Sequence, residues 1–228
     1  MNLYFLVEGR RTEKKVYPKW LSVLLPQINE VKFPHEITQN NFYIFSGNGY
    51  PSILDNHLVN SINEVNSIGN FDFLVMCIDA EEVEVEERKK EVYEFINQKN
   101  LSLSGASKFV LIIQNRCIET WCLGNKRIFK NNPNSETLRS YIEYYNVKQN
   151  DPELMGNIEN FETHAQFHGN YLSEMLRERN IRYTKKNPSG VVEKHYLDEL
   201  IKRATTTTHI ETFRAFLDFC SQVSKDIK

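Results

Sequence analysis

The stretch NLYFLVEGRRTE, residues 2–13, decides how the fold is read. Leu3, Tyr4, Phe5, Leu6 and Val7 form an unbroken apolar run that stops at Glu8-Gly9. A strand with one wet face would alternate polar and apolar residues. This one does not, so it reads as a strand covered on both faces, as in a parallel sheet. The pattern recurs. FYIF lies in residues 41–45, FLVMCI in residues 71–79, and FVLII in residues 108–114. The third run ends on Asp79, with Glu81 two residues on, and the fourth leads into Arg116-Cys117-Ile118-Glu119.

Segments with helical spacing separate these runs. Residues 12–25 place Val16, Trp20, Val23 and Leu24 on one side, and Pro18 predicts a helix starting near it or a kinked first turn. Residues 51–68 and 84–97 carry similar stripes. Strands alternating with helices predict an α/β fold, a parallel sheet flanked by helices with right-handed crossovers. After Ile118 the spacing is helical, over residues 135–145, 161–179, 191–204 and 209–223. Thr205-Thr206-Thr207-Thr208 reads as a break, with Thr208 as the N-cap of the last helix. The expected organisation is an α/β core over residues 1–125 and a mostly helical C-terminal extension, 126–228, packed on it.

The 228 residues suffice for a sizeable core, and 40% hydrophobic with 25% charged residues is a globular composition. No apolar run has membrane-spanning length and no leader pattern opens the chain, so the expected location is cytoplasmic. Cys77, Cys117, Cys122 and Cys220 form no CxxC pair and read as reduced structural thiols. A net charge of −2 means that any nucleic-acid surface is a local patch.

Parallel strands end along one edge, where ligands of open α/β sheets bind. Glu8, Asp79, Glu81 and Glu119 are therefore expected to converge there. Converging carboxylates repel, and a cation relieves the repulsion. Oxygen donors without paired His or Cys favour Mg²⁺ or Mn²⁺, which supports in-line displacement at phosphorus. Arg10, Arg11 and Arg116 flank these acids, as holders of substrate phosphate or as balancing charge. Residues 46–52, SGNGYPS, follow the second run as a phosphate-approaching loop or a tight turn. His164 and His168, four apart, read as packed or solvated rather than as metal ligands.

VEGRRTE at 7–13, Asp79-Ala80-Glu81 and IETW at 118–121 resemble a TOPRIM domain, in particular the small TOPRIM and OLD-like nucleases of bacterial anti-phage systems. There the first motif reads Val-Glu-Gly-x-Thr-Glu, one residue shorter than here. The second is Asp-x-Asp against Asp79-x-Glu81, and a Ser-x-Glu stands where this chain has Cys117-x-Glu119. The resemblance also implies a late catalytic lysine, matched by YTKK at 183–186, with Lys185 preferred over Lys186 and Lys194. It implies a metal-dependent nuclease acting on DNA, tRNA or another RNA, with Glu8, Asp79, Glu81, Glu119 and Lys185 as catalytic residues. An ATPase partner of the ABC/SMC-like type and a homodimer are the further partner expectations. The rival expectation is a non-catalytic TOPRIM-like regulatory or docking subunit of such an ATPase.

Overall fold

The computed structural model describes residues 1–227. Five strands, β1 (Asn2–Val7), β2 (Asn29–Glu30), β3 (Asn41–Ser46), β4 (Phe73–Asp79) and β5 (Lys108–Gln114), form one sheet in the order β2-β3-β1-β4-β5. β1 is parallel to β3, Leu3 facing Phe42, and to β4, Val7 facing Cys77. At β5 the amide of Lys108 bonds the carbonyl of Asp72, and past the other end Ala80 N–H bonds Gln114, each 2.9 Å. Start meets start and end meets end, so β5 is parallel too. Every residue of β1 is buried, as its lack of alternation requires.

From β1 the chain crosses to β3 on one side and then returns to β4 on the other. The topological switch point, where α/β sheets open a crevice, therefore lies at the carboxyl ends of β1 and β4. β2 was not legible in the sequence, because two exposed polar residues carry no periodicity.

The described residues contain eight α-helices: α1 (Glu13–Leu24), α2 (Val59–Ile68), α3 (Val85–Gln98), α4 (Ile118–Cys122), α5 (Glu136–Tyr144), α6 (His164–Arg177), α7 (Lys194–Thr206) and α8 (Glu211–Asp226). Three expectations are corrected. α1 starts at Glu13 and runs through Pro18, because its buried face of Val16, Tyr17, Trp20 and Leu21 outweighs one lost hydrogen bond near the helix start. The helix expected from residue 51 opens instead with a π-helical turn, Ile53–Leu58. The threonine run is not a clean break: α7 continues through Thr206, and the Thr205 and Thr206 hydroxyls bond back to the carbonyls of Ile201 (2.8 Å) and Lys202 (2.7 Å). Thr208 does not cap α8. Remote carboxylates do so: Asp151 takes Ile210 N–H at 3.0 Å and Glu153 takes Thr212 N–H at 3.2 Å.

The chain divides into two compact units. The first comprises Met1–Ile78, Glu84–Ile113 and Asp218–Lys228 and holds nearly all of the sheet. Its core is β1 and β4 with Trp20, Ile62, Val65 and Val92. The second comprises Asp79–Val83 and Gln114–Leu217. Its core stacks Trp121 on Phe216, sets Phe213 edge-on to it, and packs Tyr141, Phe167 and Tyr171 together. No described helix is long and apolar enough to cross a membrane.

Candidate functional site

In the first unit the carboxylate of Glu8 is buried and accepts the Tyr50 N–H at 3.1 Å. The SGNGYPS loop is laid along the end of β1: Gly47 N–H bonds Val7 O at 2.7 Å and Gly49 N–H bonds Glu8 O at 3.0 Å. Gly49 has φ +87, which suits glycine. The loop is also held from the far side. The Arg88 guanidinium lies 3.9 Å from the Tyr50 ring centroid, and Arg88 bonds Glu91 at 2.6 Å. The loop's amides thus serve Glu8 itself. Glu13, in the first turn of α1, folds back over Gly9 so closely that a Cβ there would sit 1.9 Å from its Oε2. Arg10 is exposed and donates from Nε to Asn48 Oδ1, and Arg11 is exposed in the turn before α1.

The second unit gathers the remaining acids. Asp79 closes β4. The segment after it pairs with the end of β5, as Ala80 N–H bonds Gln114 O and Glu81 N–H bonds Arg116 O, both 2.9 Å. Glu81 adopts φ +55, a left-handed conformation that costs a non-glycine residue about 1–2 kcal/mol. Arg116 clamps this turn, donating from Nη1 to Val83 O at 2.7 Å and Glu81 O at 3.4 Å. Glu82 accepts the backbone N–H of His164 at 2.8 Å and bonds the ring Nδ1, which ties the segment to the N-terminus of α6.

Glu119 lies in the first turn of α4, is 2% exposed, and accepts the Tyr183 hydroxyl at 2.9 Å. Beside it Cys117 occupies the N-cap of α4. Burial first, then the charges of Glu119 and Asp79, push its thiol well above the usual range. The thiol is therefore neutral, and both carboxylates act on it electrostatically. Thr120 Oγ1 joins Cys117 Sγ (3.5 Å) to Nδ1 of the fully buried His168 (2.7 Å). His168 is thus packed, in a hydrogen-bonded pair with a threonine.

Lys185 and Lys186 form the exposed two-residue turn between Thr184 and Asn187. Lys194 pairs with Asp198 at 2.8 Å within α7. Tyr183, two residues before Lys185, is the residue that sequence reasoning missed. YTKK drew notice for its lysines, and nothing local names a partner 64 residues away.

No group of three or more His, Cys, Asp or Glu stands in a metal-holding arrangement among the described residues. Mg²⁺, however, usually takes one or two protein carboxylates and completes its shell with water and substrate phosphate. Asp79 and Glu119, which both act on the neutral Cys117 thiol, are hard oxygen donors of the kind such an ion takes. Compared with protein-family models, curated proteins and solved structures, the chain matches none.

Proposed function

We propose that the chain is a Mg²⁺- or Mn²⁺-dependent phosphodiesterase of the TOPRIM kind that cleaves nucleic acid, and that it is the effector of a bacterial anti-phage system. The observation that carries this reading is the pair Asp79 and Glu119 beside Cys117, with Asp79 at the sheet's switch point. Asp79 and Glu119 would hold the ion, with Glu81 as a further carboxylate. When bound, the ion supplies Lewis acidity at a phosphoryl oxygen and a water of lowered pKa. Tyr183 fixes the orientation of the Glu119 carboxylate through its 2.9 Å hydrogen bond. The neutral Cys117 thiol adds no charge beside the two acids. Lys185 would meet the charge that builds on phosphorus.

The test is cleavage of DNA and RNA with Mg²⁺ or Mn²⁺ by wild type, Glu8→Gln, Asp79→Asn and Glu119→Gln. Loss of cleavage in Asp79→Asn and Glu119→Gln supports the reading. Equal activity in all four proteins overturns it. A second reading, a non-catalytic docking subunit for an ATPase, is favoured by the use of Arg116 as a strut for two backbone carbonyls. Calorimetric titration separates the two. Metal heat favours the enzyme, and partner binding without metal heat favours the subunit.

A further inference from the structure

The end of α6 builds a concave surface that the reading above leaves unused. After Arg177 the chain reverses: Asn180 takes φ +58, its N–H bonds Arg177 O, and Ile181 N–H bonds Leu176 O, both 2.9 Å. It then continues extended, with Arg182 exposed and Tyr183 buried against Glu119. Arg177, Asn180, Ile181, Arg182, Tyr183 and Thr184 line a pocket of about 540 Å³.

Two arginines near a helix C-terminus are expected on dipole grounds alone. Two further features point to a ligand. Arg177 is already paired with Glu174 at 2.6 Å, whereas the Arg182 guanidinium makes no hydrogen bond or ion pair with any described residue. The pocket also has the size of a small-ligand site, about 300–1,000 Å³. A planar guanidinium matches phosphate oxygens in pairs. Asn180 and Thr184 offer neutral donors and acceptors beside it, and Ile181 an apolar wall.

We propose that this pocket binds one nucleotide unit, with the phosphate on Arg182 and the sugar and base against Asn180, Thr184 and Ile181. The choice of a nucleic-acid strand as its main source rests on the phosphodiesterase reading. Because Tyr183 lines the pocket and bonds Glu119, a strand seated there would lie one side chain away from the proposed metal ligand.

Binding is measured by fluorescence anisotropy with short single-stranded DNA and RNA, and by competition with a nucleoside monophosphate. EDTA is present, so that no metal-dependent cleavage occurs. Arg182→Gln is compared with Lys19→Gln, an exposed change on α1. The expected result is a loss of roughly tenfold in affinity in Arg182→Gln only, with the salt slope falling by about one. Competition by the monophosphate at matching concentration assigns a free nucleotide, and binding of strands alone assigns a strand. The proposal is overturned if Arg182→Gln binds both ligands as tightly as Lys19→Gln. Arg182-dependent binding in a wild type that cleaves nothing would sink the nuclease reading and leave this pocket standing.

Discussion

The hydroxyl of Tyr183 donates to Glu119 Oε1 at 2.9 Å, both side chains buried, across 64 residues of chain. A buried carboxylate that loses a donor bears a desolvation cost of about 1–3 kcal/mol. Tyr183→Phe is therefore expected to lower thermal stability and to slow metal-dependent cleavage by roughly tenfold at unchanged fold. Thermal unfolding, circular dichroism and single-turnover cleavage check this. A full-rate Tyr183→Phe enzyme would show that Glu119 needs no positioning.

Two buried groups make opposite pH contributions. Burial first, then His164, hold His168 down from 6.5 to about 3. Its stabilising contribution is complete above pH 6.5 and is lost as pH falls towards 3. Burial pushes Glu153 up from 4.5 to about 7, so its contribution is complete below pH 4.5 and is lost as pH rises through 7. Between 4.5 and 6.5 the two oppose one another. Glu153→Gln should therefore make stability fall more steeply on acidification, by about 1.4 kcal/mol per pH unit, and His168→Gln should flatten or reverse the fall. Urea unfolding at pH of about 7, 6 and 5 reads the slopes, and parallel curves for all three proteins would refute the opposition.

Arg88 is 3% exposed and stacks on Tyr50, whose amide serves Glu8. Arg88→Ala is expected to cost about 2 kcal/mol and to speed amide exchange at Gly49 and Tyr50. Unchanged exchange at these two amides would mean that the loop holds itself.

Gly9→Ala forces the Glu13 carboxylate aside, since the new Cβ would fall 1.9 Å from Oε2. The expected cost is about 1–3 kcal/mol in wild type and much less in a Glu13→Ala background. A double-mutant cycle on unfolding free energy measures the coupling, and additive costs would show that Glu13 moves freely.

Much of the sheet was readable because its signal is local. Leu3–Val7 and residues 73–79 lack alternation, and strands buried on both faces write that pattern into the sequence. The acids at strand ends followed from one topological rule and needed no contact information. What could not be read was set by distant partners. The cap of α8 comes from Asp151 and Glu153 rather than from the adjacent threonine, so a correct local preference named the wrong residue. Sequence shows the charge of Arg116 but not the carbonyls of Glu81 and Val83 that it holds. Tyr183 gave no signal at all, because its role exists only once Glu119 is beside it.

The left-handed backbone at Glu81 bears on how this position can change in evolution. Aspartate, asparagine and glycine tolerate that conformation, while β-branched residues do not. Aspartate at 81 would satisfy backbone and metal alike, so finding it in a relative discriminates nothing. Asparagine or glycine there would satisfy the backbone alone. Relatives that cleave nucleic acid with asparagine or glycine at 81 would assign this residue to the turn, and relatives restricted to aspartate and glutamate would assign it to the ion.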